Sequence, residues 1–367
     1  MRTHSPENER IKRAYFIYLK EARRLSEHSI DAAAAALSKF EEYTKYRDFK
    51  RFHIQQAVAF KRKLADQVSQ RTGEKLSSST LFANLNSLRA FFHWLAGQQG
   101  YRSHLTYADA DYFALSEKES RVAKATLERR VPSLEQILHV VRMMPCESDI
   151  ELRNRALVAF TLLTGARDGA IASLKLKHVD LDEGRLLQDA REVRTKFSKT
   201  ITTWFFPVVD EIRQIVVDWV EYLRKDKLFG PGDPLFPATH VGLNEDRCFQ
   251  ADGLSRSGWS NATPIRMVFK EAFTTAGLPY ANPHSFRKTL AQLGERMCRT
   301  PEQFKAWSQN LGHEQVLTTF SSYGQVAHER QAELIRGLGG PGDDHPLNGK
   351  VIDQVVRLLE NARHQAN

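Results

Sequence analysis

Along the first 110 residues, apolar side chains recur at three- and four-residue steps, the spacing of one face of a helix. "AAAAALSKFEEYTKY" and "HIQQAVAFKRKLADQVSQ" are rich in strong helix formers. "SSSTLFANLNSLRAFFHWLAG" opens on cap-type serines, places Leu81, Leu85, Leu88, Phe92 and Leu95 on one stripe, and stops at Gly97. These elements predict a small helical bundle over 1–115. The stretch "SEKESRVAKATLERRVP", 116–132, is charged, poor in large apolar residues and closed by a proline, and reads as a linker.

A second unit, 133–336, opens at "VPSLEQILHVVRMM", where Ser133 and Gln136 have capping-box spacing. "ELRNRALVAFTLLTG" predicts a mostly buried helix ended by Gly165. "LKHVDLDEGRLLQ" and "REVRTKFSKTITTWFFPV" change to strand-like composition around short turns. Helix returns at "VVDEIRQIVVDWVEYLRK", with Ile212, Ile215, Val216, Trp219 and Leu223 in one stripe, and "FGPGDPLFP" is a loop. Helices follow at "TPIRMVFKEAFTTAG", "PHSFRKTLAQLGERM" and "TPEQFKAWSQNLG", the last with Thr300 as N-cap, Pro301 at N1 and Gly312 past its end. The glycine-rich joint "GLGGPGDDHPLNG" leads to a short amphipathic end, so 337–367 is a joint and terminal helix. The fold class expected is mainly α, with two domains, the second carrying one small antiparallel β-sheet.

Charge changes this picture more than composition does. Residues 1–130 hold 24 Lys and Arg against 15 Asp and Glu, whereas the remainder holds 29 of each. The whole excess of +9 therefore lies in the first third, which suits a polyanionic partner through counterion release. A merely soluble basic face is the alternative. At 367 residues, 41% hydrophobic, the chain has enough material for two cores. No run approaches the roughly 18–20 apolar residues of a membrane span. Three scattered cysteines without CxxC spacing argue for a reducing compartment and against a disulfide framework or zinc site. A bacterial-type cytoplasmic protein with no membrane partner is the expectation.

Five places in the second unit could carry chemistry. Arg167 in "TGARDGAIASLKLKHVDL" follows a helix-ending glycine. His284 and Arg287 in "NPHSFRKTLAQLG" stand three apart at a helix N-terminus, where backbone N–H groups and both side chains can meet an anion. His313 lies in "NLGHEQ", Lys196 and Lys199 in the hairpin "VRTKFSKTITTWFF", and Tyr323 in "LGHEQVLTTFSSYGQV". Each alone has a bland reading: a cap, a solvated face, a soluble hairpin tip, a packing aromatic.

Taken in order, these residues resemble the tyrosine recombinase (phage-type integrase) family, over roughly 130–330. The pattern is an Arg after a "TG" helix end, a hairpin Lys, H-x-x-R, "LGH", and a Tyr about ten residues on. The resemblance implies a two-domain clamp around double-stranded DNA and site-specific strand exchange through a 3′-phosphotyrosyl intermediate, with no cofactor, metal or ATP. Arg167 and Arg287 would hold the phosphate, His284 and His313 would complete the cage, and Tyr323 would attack phosphorus. A hairpin lysine, Lys196 ahead of Lys199 because "RTK" closes a strand, would protonate the leaving oxygen. The family often has a carboxylate three residues after the first arginine. Here that residue is Ala170, so Asp168 either substitutes or the role is unfilled. The resemblance further implies a homotetramer on synapsed sites, a monomer or dimer when free, DNA-bending or directionality accessory proteins, and a place on the bacterial nucleoid. The terminal helix either docks on a neighbouring protomer or folds on its own domain. Two other readings stand beside strand exchange: a type IB topoisomerase-like relaxing enzyme, and a catalytically impaired DNA-binding accessory protein.

Overall fold

The computed structural model describes residues 4–68, 73–124, 131–195, 198–243 and 249–313. The chain divides into two compact units, 1–127 and 128–367.

The first unit is helical: α1 (Pro6–Ile17), running on through a π-helical turn (Tyr18–Ala22), α2 (Glu27–Tyr43), α3 (Ile54–Asp66), α4 (Ser78–Ala96), α5 (Tyr107–Asp111) and α6 (Glu117–Lys124). Ser5, Ser26 and Ser77 cap α1, α2 and α4, each hydroxyl accepting a backbone N–H three residues on. The stretch 116–132 thus contains a helix, α6, which packs against α4. Aromatic rings fill the core, with Phe40 meeting Phe60, Phe92 and Phe113 edge to face at centroid distances of 5.2, 5.4 and 5.4 Å.

Beside those rings lies a buried polar knot. Glu41 on α2 is 1% exposed, and Lys12 on α1 brings its ammonium to Glu41 Oε2 at 2.5 Å. Asn8 donates to Glu41 Oε1 and to the Arg47 carbonyl, both at 3.0 Å, and accepts from the Phe49 N–H at 3.1 Å. Burial opposes the Lys12 charge, but its bonds to Glu41 and Glu9 outweigh burial and raise its pKa.

The second unit begins with α7 (Leu134–Met143), where Ser133 and Gln136 form the predicted capping box. Next comes α8 (Asp149–Thr164), buried on every side from Ala156 to Thr164. It is followed by α9 (Asp168–Ile171) and a three-stranded antiparallel sheet of β1 (Val179–Asp180), β2 (Arg185–Gln188) and β3 (Ile201–Trp204), in the order β1-β2-β3 with Leu186 opposite Thr203. Helix α10 (Asp210–Lys225) lies against α8 through Ile212, Val216, Trp219 and Leu223. A hairpin, β4 (Thr239–Leu243) and β5 (Phe249–Leu254), precedes α11 (Thr263–Thr275), α12 (Pro283–Met297) and α13 (Pro301–Asn310).

Two expectations change here. The unit has two sheets where one was expected; "THVGL" and "FQADGL" carry Gly, Asp and His, residues with little strand preference, so pairing rather than propensity makes β4 and β5. Strand β2 also ends at Gln188, so "RTK" does not close a strand. Arg194 and Thr195 belong to the 189–200 connection, and Lys196 lies outside the described residues. The joint at 337–342, the terminal helix and Tyr323 lie outside them too.

Because Glu41 is the buried partner of Lys12, Glu41→Ala leaves that ammonium with only the exposed Glu9 to answer it and strips Asn8 of an acceptor. The loss expected is about 3 kcal/mol or more. Hydrogen exchange of the α1 and α2 amides under rising urea checks it: the protection of both helices should fall together.

Candidate active site

Helix α8 ends because Gly165 turns left-handed, at φ 59°. A Cβ there would lie 3.0 Å from Leu290 Cδ1 and 3.1 Å from Leu311 Cδ2, so only glycine lets α12 and the end of α13 close on this turn. Ala166 is buried, its N–H donating to Thr164 Oγ1 at 3.2 Å, and the chain then presents half-buried Arg167 as the residue capping α9.

The second contribution comes from α12. Asn282 Oδ1 accepts from the Ser285 N–H at 3.0 Å, Pro283 occupies the first helical position, and His284 and Arg287 follow on one face. His284 is exposed at the rim. Arg287 is 5% exposed and ties three chain segments together. Its Nη1 donates to the Gly165 carbonyl, its Nη2 to the Leu311 carbonyl, and Nη2 lies 3.1 Å from His313 Nε2. Arg287 Nε is buried with no partner among the described residues.

The third contribution is the end of α13. Gly312, at φ 68°, donates to the Gln309 carbonyl at 2.7 Å, and the His313 N–H reaches back to the Ser308 carbonyl at 3.1 Å. This is a Schellman turn, and it aims half-buried His313 at Arg287. Strand β3 is bolted to the same turn: Asn310 Oδ1 accepts from the Trp204 N–H at 2.7 Å and Asn310 Nδ2 donates to the Trp204 carbonyl at 2.8 Å.

The electrostatics follow from this packing. Desolvation and the neighbouring charge of Arg167 push the Arg287 pKa down to about 9, which leaves it a cation at neutral pH. Desolvation also lowers Arg167. Partial desolvation, then Arg287, Arg167 and Lys288, lower the pKa of His284, with Asp168 opposing. His284 is therefore a neutral imidazole at pH 7. Among the described residues, no carboxylate bonds either guanidinium. The adjacent Asp168 instead gives Oδ1 to the Gly169 N–H at 2.8 Å and Oδ2 to Arg266 Nε at 2.7 Å. Two cations, a buried unanswered N–H and two imidazoles so arranged favour an oxyanion. Among the described residues, no group of three His, Cys, Asp or Glu gathers to hold a metal.

Four of the six residues read from sequence, Arg167, His284, Arg287 and His313, thus come together from three segments. Lys196 and Tyr323 fall outside the described residues; Lys199 is exposed, just ahead of β3. Ala170 is buried in α9, and Asp168 is turned to Arg266. Sequence reasoning missed Arg266 on α11, Asn310 and Arg194. The Arg194 guanidinium donates to the carbonyls of Trp259 at 2.8 Å, Ala172 at 3.2 Å and Ser260, pinning the 189–200 connection. Their partners are 22 to 106 positions away, so no local pattern marks them.

The model of the phage integrase family matches residues 128–330, and that of the phage integrase N-terminal SAM-like domain matches 13–99. Tyrosine recombinase XerC of Lactobacillus delbrueckii subsp. bulgaricus is 26% identical over 266 residues, covering 69% of this chain and 77% of the relative. XerC of Halalkalibacterium halodurans is 23% identical over 337 residues, covering 90% and 97%. Among solved structures, a lambda integrase (75–356) dimer bound to a COC′ core site has a similar fold, with TM-score 0.59 at 13% identity over 87% of this chain and 97% of that one. The XerH site-specific recombinase bound to difH substrate gives 0.53 at 19% identity over 86% and 82%. With its family model matched across the unit that gathers Arg167, His284, Arg287 and His313, the chain belongs to the phage integrase family of tyrosine site-specific recombinases.

Proposed function

We propose that this chain cuts and rejoins double-stranded DNA at specific sites through a 3′-phosphotyrosyl intermediate, using Arg167, Lys196, His284, Arg287, His313 and Tyr323. The observation that carries the reading is the cluster of Arg167, Arg287, His284 and His313, in which no carboxylate answers either arginine among the described residues.

The chemistry follows from charge. A phosphodiester transition state gathers negative charge on its equatorial oxygens, and two guanidiniums match that distribution with forked N–H donors. In this reading Arg167 and the unanswered N–H of Arg287 hold the non-bridging oxygens, so the guanidiniums supply the positive charge a metal supplies elsewhere. Tyr323 Oη attacks phosphorus and the bond to the 5′-oxygen breaks. Neutral His284 accepts the phenolic proton, and a substrate phosphate beside it raises its basicity at the moment it is needed. Lys196, with Lys199 as the other candidate, gives a proton to the departing oxygen. The phosphotyrosyl ester retains the energy of the broken strand, so a free 5′-hydroxyl can reverse the step without ATP.

The basic first unit would supply phosphate contacts that position the duplex. A lambda integrase tetramer on a Holliday junction is among the structures of similar fold. A homotetramer on two synapsed sites, a cytoplasmic location and accessory proteins that bend DNA or set direction fit the same reading.

Incubation with a library of nicked duplexes in EDTA should trap a covalent protein–DNA adduct, and Tyr323→Phe should abolish it. Strict dependence on Mg²⁺, or adduct surviving in that variant, would overturn the proposal. Relaxation of any supercoiled plasmid without a preferred sequence would favour the topoisomerase-like reading, and site-selective binding without adduct the accessory one. A second prediction concerns proton linkage. Dimethyl phosphate, a monoanion throughout this range, should raise the His284 pKa and bind more tightly as pH falls towards 6, because the anion favours the imidazolium that the free site disfavours. NMR titration of labelled histidine rings, assigned with His284→Gln, reads the shift.

A further inference from the structure

Among the described residues, Asp168 is the acid whose charge bears on His284, and its position poses a physical problem. It adjoins Arg167 in the chain, and its negative charge reaches His284, where it opposes the surrounding cations. A free carboxylate there would repel a substrate phosphate. It could also swing to the neighbouring guanidinium and occupy the donors that a phosphate needs. Among the described residues, what prevents this comes from another element. Arg266 on α11 donates its Nε to Asp168 Oδ2 at 2.7 Å across a sequence separation of 98, while Asp168 Oδ1 is held by the Gly169 N–H at 2.8 Å. Both carboxylate oxygens are therefore taken. Among the described residues, Arg167 has no ion pair of its own.

We propose that Arg266 is a positioning residue whose ion pair with Asp168 keeps that carboxylate from competing with the substrate phosphate for Arg167. This rests on Arg167 being a phosphate ligand, as argued above. The Arg266 side chain is 58% exposed, so the pair contributes little to folding. Its effect is local, on the charge a phosphate meets on arrival.

Loss of Arg266 should therefore be rescued by removing the charge of Asp168. In the full chain, Arg266→Ala should weaken binding of inorganic phosphate roughly tenfold or more, the effect of one unneutralised charge beside the anion in a partly solvated site. It should slow adduct formation on the selected nicked duplex to a similar degree, and raise the His284 pKa because the bare carboxylate favours the imidazolium. Asp168→Asn, which keeps the oxygen that caps Gly169, should undo all three effects when added to Arg266→Ala. Arg266→Lys should retain most of the wild-type behaviour. The proposal is overturned if Arg266→Ala behaves as wild type, or if the double variant is no better than the single one, since a direct DNA contact or a purely structural role gives no rescue. Arg167→Ala separates the two levels. If it binds phosphate as tightly as wild type, the phosphate-ligand reading has failed and this proposal with it. If it does not, any failure of rescue counts against the Arg266 proposal alone.

Discussion

Taking a guanidinium out of water costs several kcal/mol unless its N–H groups find acceptors, and Arg287 finds them almost wholly in backbone. The carbonyls it uses, of Gly165 and Leu311, are groups left open where α8 and α13 end. One side chain therefore satisfies two helix termini while two helix termini satisfy one charge. The arrangement holds only if α8 stops at Gly165 and α13 stops at Leu311, so the glycines at 165 and 312 and the cation at 287 depend on each other. Because these acceptors are neutral dipoles and not carboxylates, Arg287 keeps its charge uncompensated. A structural brace thereby carries a net positive charge.

The two units solve the burial of charge in opposite ways. In the first, Lys12 and Glu41 neutralise each other inside an aromatic core, and Asn8 completes the acceptors. The excess positive charge of that unit is left to its other lysines and arginines. In the second, the formal charge is close to balanced overall, yet a local imbalance is built, with Arg167 beside Arg287 and the neighbouring Asp168 drawn off by Arg266. Net charge is a property of the first third as a whole; local imbalance is a property of one cluster in the second unit.

The helices were legible because their signals are local. Ser133 with Gln136, Thr300 with Pro301, and Asn282 with Pro283 each set a helix start within a few residues, and Gly165 and Gly312 each set an end. The strands β4 and β5 were not, since Gly, Asp and His interrupt their strand-forming residues and the pairing itself holds them. No strand runs through Arg194 and Thr195, because Asp189 begins a turn that folds the chain towards Ser173 and Trp259, contacts invisible in a linear pattern.

The candidate site divides along the same line. The sequence by itself determined which residue types stand at helix ends: an arginine after Gly165, a histidine and an arginine on the first turns of α12, a histidine after Gly312. Capping and turn chemistry act over three to five residues, so those placements needed nothing else. Only the tertiary structure decided that the three ends meet, that Arg287 would be buried against two carbonyls, and that Asp168 would be bound by Arg266. Those outcomes depend on contacts between residues about 24 to 122 positions apart, and such contacts are set by packing and desolvation across the whole core, which no local stretch encodes.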